Sequence, residues 1–300
     1  MSYWTGIATQ VGIYLIAVLG LSVLCGFTGM FSMGHAGFMA IGAYTSALLS
    51  IHLSMPIWVS VLCGTLLATL IGTLVSLPTL KLRDDYFLIV TLGVGEGIRL
   101  VIQNLADLTG GARGLTSIPG GVTIWGVLVI AVLAVVFIKL FLSTKFGRNC
   151  IAVREEELAA KSVGINIFRY KLLAMVISCA LCGLAGGLLA HYLNYLTPTL
   201  FNMTKSEELI IPVILGGRGS LTGTIVAGLL LLPLPELLRF GSAQEWRMVI
   251  YGLLVVLVIT FRPSGLMGNK ELTLQNLKKF LAGFFLKNRG QAPDGKGDSV

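Results

Sequence analysis

Glu96 and Arg99 stand three residues apart in LIVTLGVGEGIRLVIQN, so on a helix they are neighbours of opposite charge. Glu96 lies about ten residues into an apolar run, roughly 15 Å along a helix axis. An ionisable side chain at that depth in a membrane faces a bundle interior or a watery cavity. Two readings are open. The pair lines a translocation pathway, or it is an internal ion pair holding helices together, with Arg99 able to snorkel towards the outer interface.

A second polar stretch, GRNCIAVREEELAAKSVGINIFRYK at 147–171, lies between two strongly apolar runs. Its Ala, Leu and Glu favour helix, Glu157 and Lys161 have favourable i,i+4 spacing, and Gly164 stands where a left-handed cap would end the element. Ile151, Leu158 and Val163 could supply an apolar side. A helix over 151–163 would suit docking into a groove on a soluble partner and passing on its motion. The other reading is a solvated loop whose charges only set topology. Two glycine-rich stretches form the third feature: GFTGMFSMGHAG at 26–37, containing Gly34 and His35, and LGGRGSLTG at 215–223, containing Gly216, Gly217 and Gly219. Each adjoins a short apolar segment. Unwound backbone at a transport pathway would look like this, and so would close helix packing.

Other chemistry lacks support in the sequence. GVGEG at 93–97 lies inside an apolar run without the strand, turn and helix of a nucleotide fingerprint. His35, His52 and His191 stand apart from each other and from any Cys or carboxylate at ligand spacing, so no metal site is expected. Cys179 and Cys182 form a C-x-x-C within an apolar run, where two small packing residues are expected. No GxxxxGK[ST] occurs, so no cofactor is expected on this chain and any ATP is hydrolysed by another polypeptide. An intramembrane enzyme would need a His, Asp or Ser constellation, and none is found. An ion-coupled secondary transporter would show several intramembrane acids or histidines, whereas Glu96 alone is clearly placed.

The elements that must position these residues are membrane helices. Of 300 residues 55% are hydrophobic and 12% charged, with a mean hydropathy of +0.86. A soluble domain carries about 25% charged residues. Continuous apolar runs of roughly 20 residues match a hydrocarbon core of about 30 Å. They predict an all-α, polytopic membrane helix bundle with segments at 7–26, 38–51, 56–77, 86–103, 124–143, 168–191, 205–217, 221–239 and 244–262. That makes eight or nine segments, with 38–51 and 205–217 broken or re-entrant. The first run has no basic n-region or small-residue cleavage site and reads as a span. Lys81, Arg83, the basic residues of 145–171 and those of the tail mark the cytoplasmic side. The C-terminus is thereby placed inside, and the +8 net charge is a topology signal rather than a footprint for nucleic acid. Residues 1–268 read as one membrane domain, with its cytoplasmic loop at about 147–171. Residues 269–300 read as an amphipathic and then disordered tail.

GFTGMFSMGHAGFMAIGAYTSALL, LRDDYFLIVTLGVGEGIRLVIQN, LTGGARGLTSIPG, IAVREEELAAKSVGINIFRYKLLA, VILGGRGSLTGTIVAG and FRPSGLMG follow one another across residues 20–268. In that order they resemble the LivM-type permease of branched-chain amino-acid ABC importers. The resemblance implies a fold similar to the importers of ribose and vitamin B12, a multi-pass place in the bacterial cytoplasmic (inner) membrane, and transport of leucine, isoleucine or valine. Relatives of this type also serve urea and short amides. It implies as partners a homologous LivH-type permease, two ATP-binding subunits that use ATP, and a periplasmic substrate-binding protein. It also gives the coupling role to Arg154, Glu155, Glu156, Glu157, Ala159, Ala160 and Gly164. Gly34, His35, Glu96, Arg99, Gly216, Gly217 and Gly219 are the pathway candidates. Two departures stand out: some relatives carry further hydrophobic segments before the first span, and LRDDYF has two acids where a Gly-Pro or similar pair is common.

Overall fold

The computed structural model describes residues 3–82 and 84–237, with residues 252, 253, 256 and 260 beyond them. The segment read at 244–262 and the tail therefore lie outside the described residues, apart from those four positions. Residues 1–269 form one compact unit, and its helices run between two ends. Helix α1 (Tyr3–Leu21) passes into a π-helical stretch, Ser22–Phe27. After a non-helical passage come α2 (His35–His52), α3 (Ile57–Thr79), α4 (Asp84–Asn104) and the short α5 (Ala106–Thr109). Then follow α6 (Ile124–Ser143), α7 (Lys145–Glu155), α8 (Glu157–Ser162) and α9 (Ile167–Leu193). The hairpin of α10 (Met203–Gly216) and α11 (Leu221–Leu231) and the short α12 (Leu234–Leu237) complete the order. Tyr3–Phe27, α3, α6 and α9 are each long and apolar enough to cross a membrane.

The ends are fixed by contacts between distant segments. At one end the Tyr192 hydroxyl donates to the Gly6 carbonyl at 2.8 Å, and Leu115 and Leu196 exchange backbone hydrogen bonds of 2.8 and 2.9 Å. At the other, Arg154 meets Gly26. Segment 38–51 is longer than its apolar run, since α2 reaches 18 residues, about 27 Å. Its start is nonetheless recessed. Ala36 N–H donates to Ser206 Oγ at 3.1 Å, and Met33 N–H to Thr91 Oγ1 at 3.2 Å, so hydroxyls from α10 and α4 satisfy backbone donors in the first turn of α2 and just before it. Thr28–Gly34 is thus irregular backbone largely buried in protein, one of the settings in which a membrane tolerates it.

Small residues hold the centre together. On α3, Val61, Gly64, Ala68, Gly72 and Ser76 recur at helical spacing and are buried, whereas Trp58, Leu62, Leu66, Leu70, Leu74 and Leu77 face outward. The inward stripe lets α3 approach α2 and α9 closely, the packing mode that works where lipid is as apolar as leucine. On α2 and α9, Gly42 meets Gly183 and Gly186 meets Met39, backbone against backbone. The two cysteines of C-x-x-C are packing residues here. Cys179 fills the space over Gly72 of α3, while the Cys182 thiol points at the Ala17 carbonyl of α1, 3.7 Å away.

Candidate functional site

The polar segment between α6 and α9 is built from caps. The Thr144 side chain accepts from Gly147 N–H to start α7, and the Asn166 side chain accepts from Arg169 N–H to start α9. Helix α8 ends as its sequence predicts: Gly164 takes φ +84°, its N–H bonds to Lys161 O, and Ile165 N–H bonds to Ala160 O, each at 3.0 Å. The single helix expected over 151–163 is not found. Glu156 is extended (φ −160°, ψ 111°) and divides α7 from α8. Two causes are visible. Acidic side chains at 155–157 oppose the negative end of α7, and the flanking charges have partners in different places. Arg154 bonds to the Gly26 carbonyl at 2.9 Å, while Glu157 forms an ion pair with Lys171 of α9. Glu157 thus uses Lys171 as its partner, where the sequence pointed to Lys161.

The break decides what faces outward. Ala160 is buried, but Leu158 and Val163 are 77% and 75% exposed, beside exposed Glu155, Glu156 and Ala159. Nearby, the Cys150 thiol of α7 is buried against α9, which pushes its pKa up against a smaller opposing effect of the Thr28 hydroxyl.

The glycine-rich stretches meet at the same end. A Cβ at Gly26 would lie 3.8 Å from Gly219 N, and Arg154 lies against both Gly29 and Gly219. Gly216 packs on Gly223 across the α10–α11 turn, where Gly217 takes φ +108°. Gly34 is elsewhere: as the N-cap of α2 it abuts Thr91 and Gly95 of α4. His35 is fully buried, with Nε2 2.8 Å from Ser178 Oγ of α9. Glu96 and Arg99 are joined at 2.6 Å, and Arg99 also donates to Gln103 at 3.2 Å, so Arg99 is held along its own helix. Both are part-exposed. They flank the outer face of α4, where a Cβ at Gly93 or Gly97 would meet nothing within 4 Å. The sequence candidates therefore divide into a joint around Arg154 and Gly219, a packed site at Gly34 and His35, and an open face at Glu96 and Arg99. Sequence reasoning did not single out Gly26, Gly29 or Lys171. Gly26 and Gly29 carried only their glycine-rich setting as a signal.

The family described as the permease component of branched-chain amino acid transport systems matches residues 3–259. The chain belongs to that family. It is 35% identical to the high-affinity branched-chain amino acid transport permease LivM of Escherichia coli (strain K12), over 90% of this chain and 72% of that protein. A probable LivM of Methanocaldococcus jannaschii is 26% identical over 89% of this chain and 94% of its own length. The LivH permease of Escherichia coli (strain K12) is 27% identical over 86% of this chain and 92% of its own length. The far end of this permease is fixed by a buried histidine. There His191 Nδ1 donates to the Pro119 carbonyl at 2.7 Å, leaving Nε2 to accept from Ser46 Oγ at 2.9 Å, and Ser50 donates to Ser60 at 2.9 Å. One imidazole so ties α2 and α9 to the loop before α6. Among the described residues of this permease no three His, Cys, Asp or Glu side chains gather as metal ligands.

Proposed function

We propose that this permease forms half of the pore of an ATP-binding-cassette importer in a bacterial cytoplasmic membrane, carrying leucine, isoleucine or valine inward. Its partners are a homologous LivH-type permease, two ATP-binding subunits that hydrolyse ATP, and a periplasmic binding protein. The observation that carries the reading is α8 with its C-cap, which present exposed Leu158 and Val163 beside Glu155 and Glu156 at the end of the molecule where Lys and Arg point to the cytoplasm. Apolar side chains in that position, on a helix fixed by its glycine cap and by the Glu157–Lys171 pair, form a rigid docking knob for a soluble subunit. ATP-driven closure of the ATP-binding subunits pulls α8, and the membrane helices follow. Glu96 and Arg99, with the open glycine face of α4, form this chain's wall of the pathway, and the second permease closes it. The domain extends over residues 1–268 with eight or nine membrane segments, and the tail at 269–300 is cytoplasmic.

The test is uptake of labelled leucine, isoleucine, valine and urea into proteoliposomes holding the assembled complex, with ATP inside and binding protein outside. Leu158→Asp combined with Glu156→Lys is expected to lower uptake about ten-fold or more and to weaken co-purification of the ATP-binding subunits, with membrane insertion unchanged. Wild-type uptake by this variant would refute the docking role, and transport of urea in place of the amino acids would reassign the cargo. Glu157 is left intact because a lysine there would confront Lys171 with a second cation.

A further inference from the structure

Arg154 stands in the docking segment, yet it points away from any soluble partner. Its side chain is 15% exposed. Nη1 donates to the Gly26 carbonyl at 2.9 Å, Nε donates to Glu155 at 3.1 Å, and Nη2 is bonded to the same carboxylate. Gly26 lies in the last turn of the π-helical extension of α1, where carbonyls lack helical donors and carry partial negative charge. The aliphatic stem lies over Gly29, whose φ of +82° is one that glycine adopts freely, and a Cβ there would sit 3.0 Å from Arg154 Cγ. The guanidinium lies against Gly219 (φ +91°), where a Cβ would come 3.2 Å from Cζ and 3.3 Å from Nη2. One side chain from α7 is therefore held in a cradle made by two other parts of the chain, the end of α1 and the turn joining α10 to α11.

We infer that Arg154 is a positioning residue that transmits the movement of α7 and α8 to α1 and to the α10–α11 hairpin through the Gly26, Gly29 and Gly219 cradle. This rests on the importer reading above. The division of labour is specific: Leu158 and Val163 take the pull, and Arg154 passes it on. The planar fork holds the Gly26 carbonyl with Nη1 and Glu155 with Nε and Nη2 from one rigid group, a spread that the compact point charge of a lysine ammonium does not reproduce. The π-helical stretch that receives the pull is a wide turn of a kind often found at functional sites, and here Thr28 Oγ1 donates to Val23 O at 2.9 Å and Met30 N–H to Leu24 O at 3.1 Å.

The experiment uses the whole complex in proteoliposomes and reads three quantities: co-purification of the ATP-binding subunits, ATP hydrolysis with and without binding protein, and uptake of labelled leucine. If the wild-type complex shows no ATP-dependent uptake, the importer reading fails and the inference falls with it. With a competent wild type, Arg154→Ala and Gly219→Ala are each expected to retain the ATP-binding subunits, while uptake and stimulation by binding protein drop together by about ten- to a hundred-fold, the worth of one hydrogen bond to a charged group. Arg154→Lys is expected to fail likewise. Gly219→Ala alters no charge and no docking surface, so its loss of coupling separates transmission from docking. Wild-type uptake in Arg154→Ala or in Gly219→Ala, rescue by lysine, or loss of the ATP-binding subunits from the Arg154→Ala complex overturns the inference.

Discussion

Adding a single methyl group at Gly42 should split the centre of the bundle. A Cβ there would lie 2.7 Å from both Cα and C of Gly183, about 0.7 Å short of the 3.4 Å at which ordinary contact begins. Both obstacles are backbone, so no rotamer change relieves them, and α2 must move away from α9. The same seam carries the contacts of Gly186 with Met39 and of His191 with Ser46. Overpacking costs about 1–3 kcal/mol, and a backbone clash at the middle of a seam belongs near the upper limit. Alanine in place of glycine returns about 1 kcal/mol of helix propensity. Gly42→Ala should therefore destabilise by about 2 kcal/mol. At Gly93 the same substitution meets nothing within 4 Å, so Gly93→Ala should stabilise the chain by up to about 1 kcal/mol. The assay is the thermal unfolding midpoint of each variant purified in detergent. A Gly42→Ala protein as stable as Gly93→Ala would refute the claim that α2 and α9 are held at glycine distance.

Two further outcomes are expected. Removing the imidazole staple at the far end, His191→Ala, strips partners from the Pro119 carbonyl and the Ser46 hydroxyl; at about 1–3 kcal/mol per unmet buried group, the midpoint should fall further than for His52→Ala, and equal midpoints would refute the network. For Cys150, burial raises the thiol pKa above its ordinary 9.0, so the folded chain holds this proton more tightly than the unfolded one. Its contribution to stability is then complete below pH 9.0 and is lost as the pH rises beyond. Iodoacetamide labelling of Cys150, followed by mass spectrometry, should be slower in the folded protein than in the denatured chain throughout this range, and equal rates would refute the burial.

Much of the architecture was legible because apolar runs in lipid need no partner to become helices. The run at 124–143 coincides with α6, and those at 56–77 and 168–191 fall within a few residues of α3 and α9. The cap at Gly164 was legible too, since it depends on neighbours in sequence. The break at Glu156 was not: VREEELAAK has strong helical propensity, and what overrides it is Arg154 reaching a carbonyl 128 residues away. For the same reason no spacing rule could bring Gly26 and Gly219 to one arginine. His35 was a pathway candidate by its glycine-rich setting, and its contact with Ser178, 143 residues away, follows from no spacing in the sequence.

The helices of this permease differ in length in a way that relates it to the thickness of its bilayer. Helix α9 has 27 residues, about 40 Å, against a hydrocarbon layer of about 30 Å, whereas α6 with 20 residues spans about 30 Å. α6 turns Trp125, Val129, Leu133, Phe137 and Leu140 outward, so lipid must match its hydrophobic length. On the docking role proposed for α8, the extra length of α9, which starts beside the Glu157–Lys171 pair, is a stalk supporting it. A bilayer with longer or shorter acyl chains would tilt the lipid-facing helices against that stalk. Under that proposal acyl-chain length would change the height at which α8 stands above the membrane, and lipid composition would act on transport with no binding site of its own.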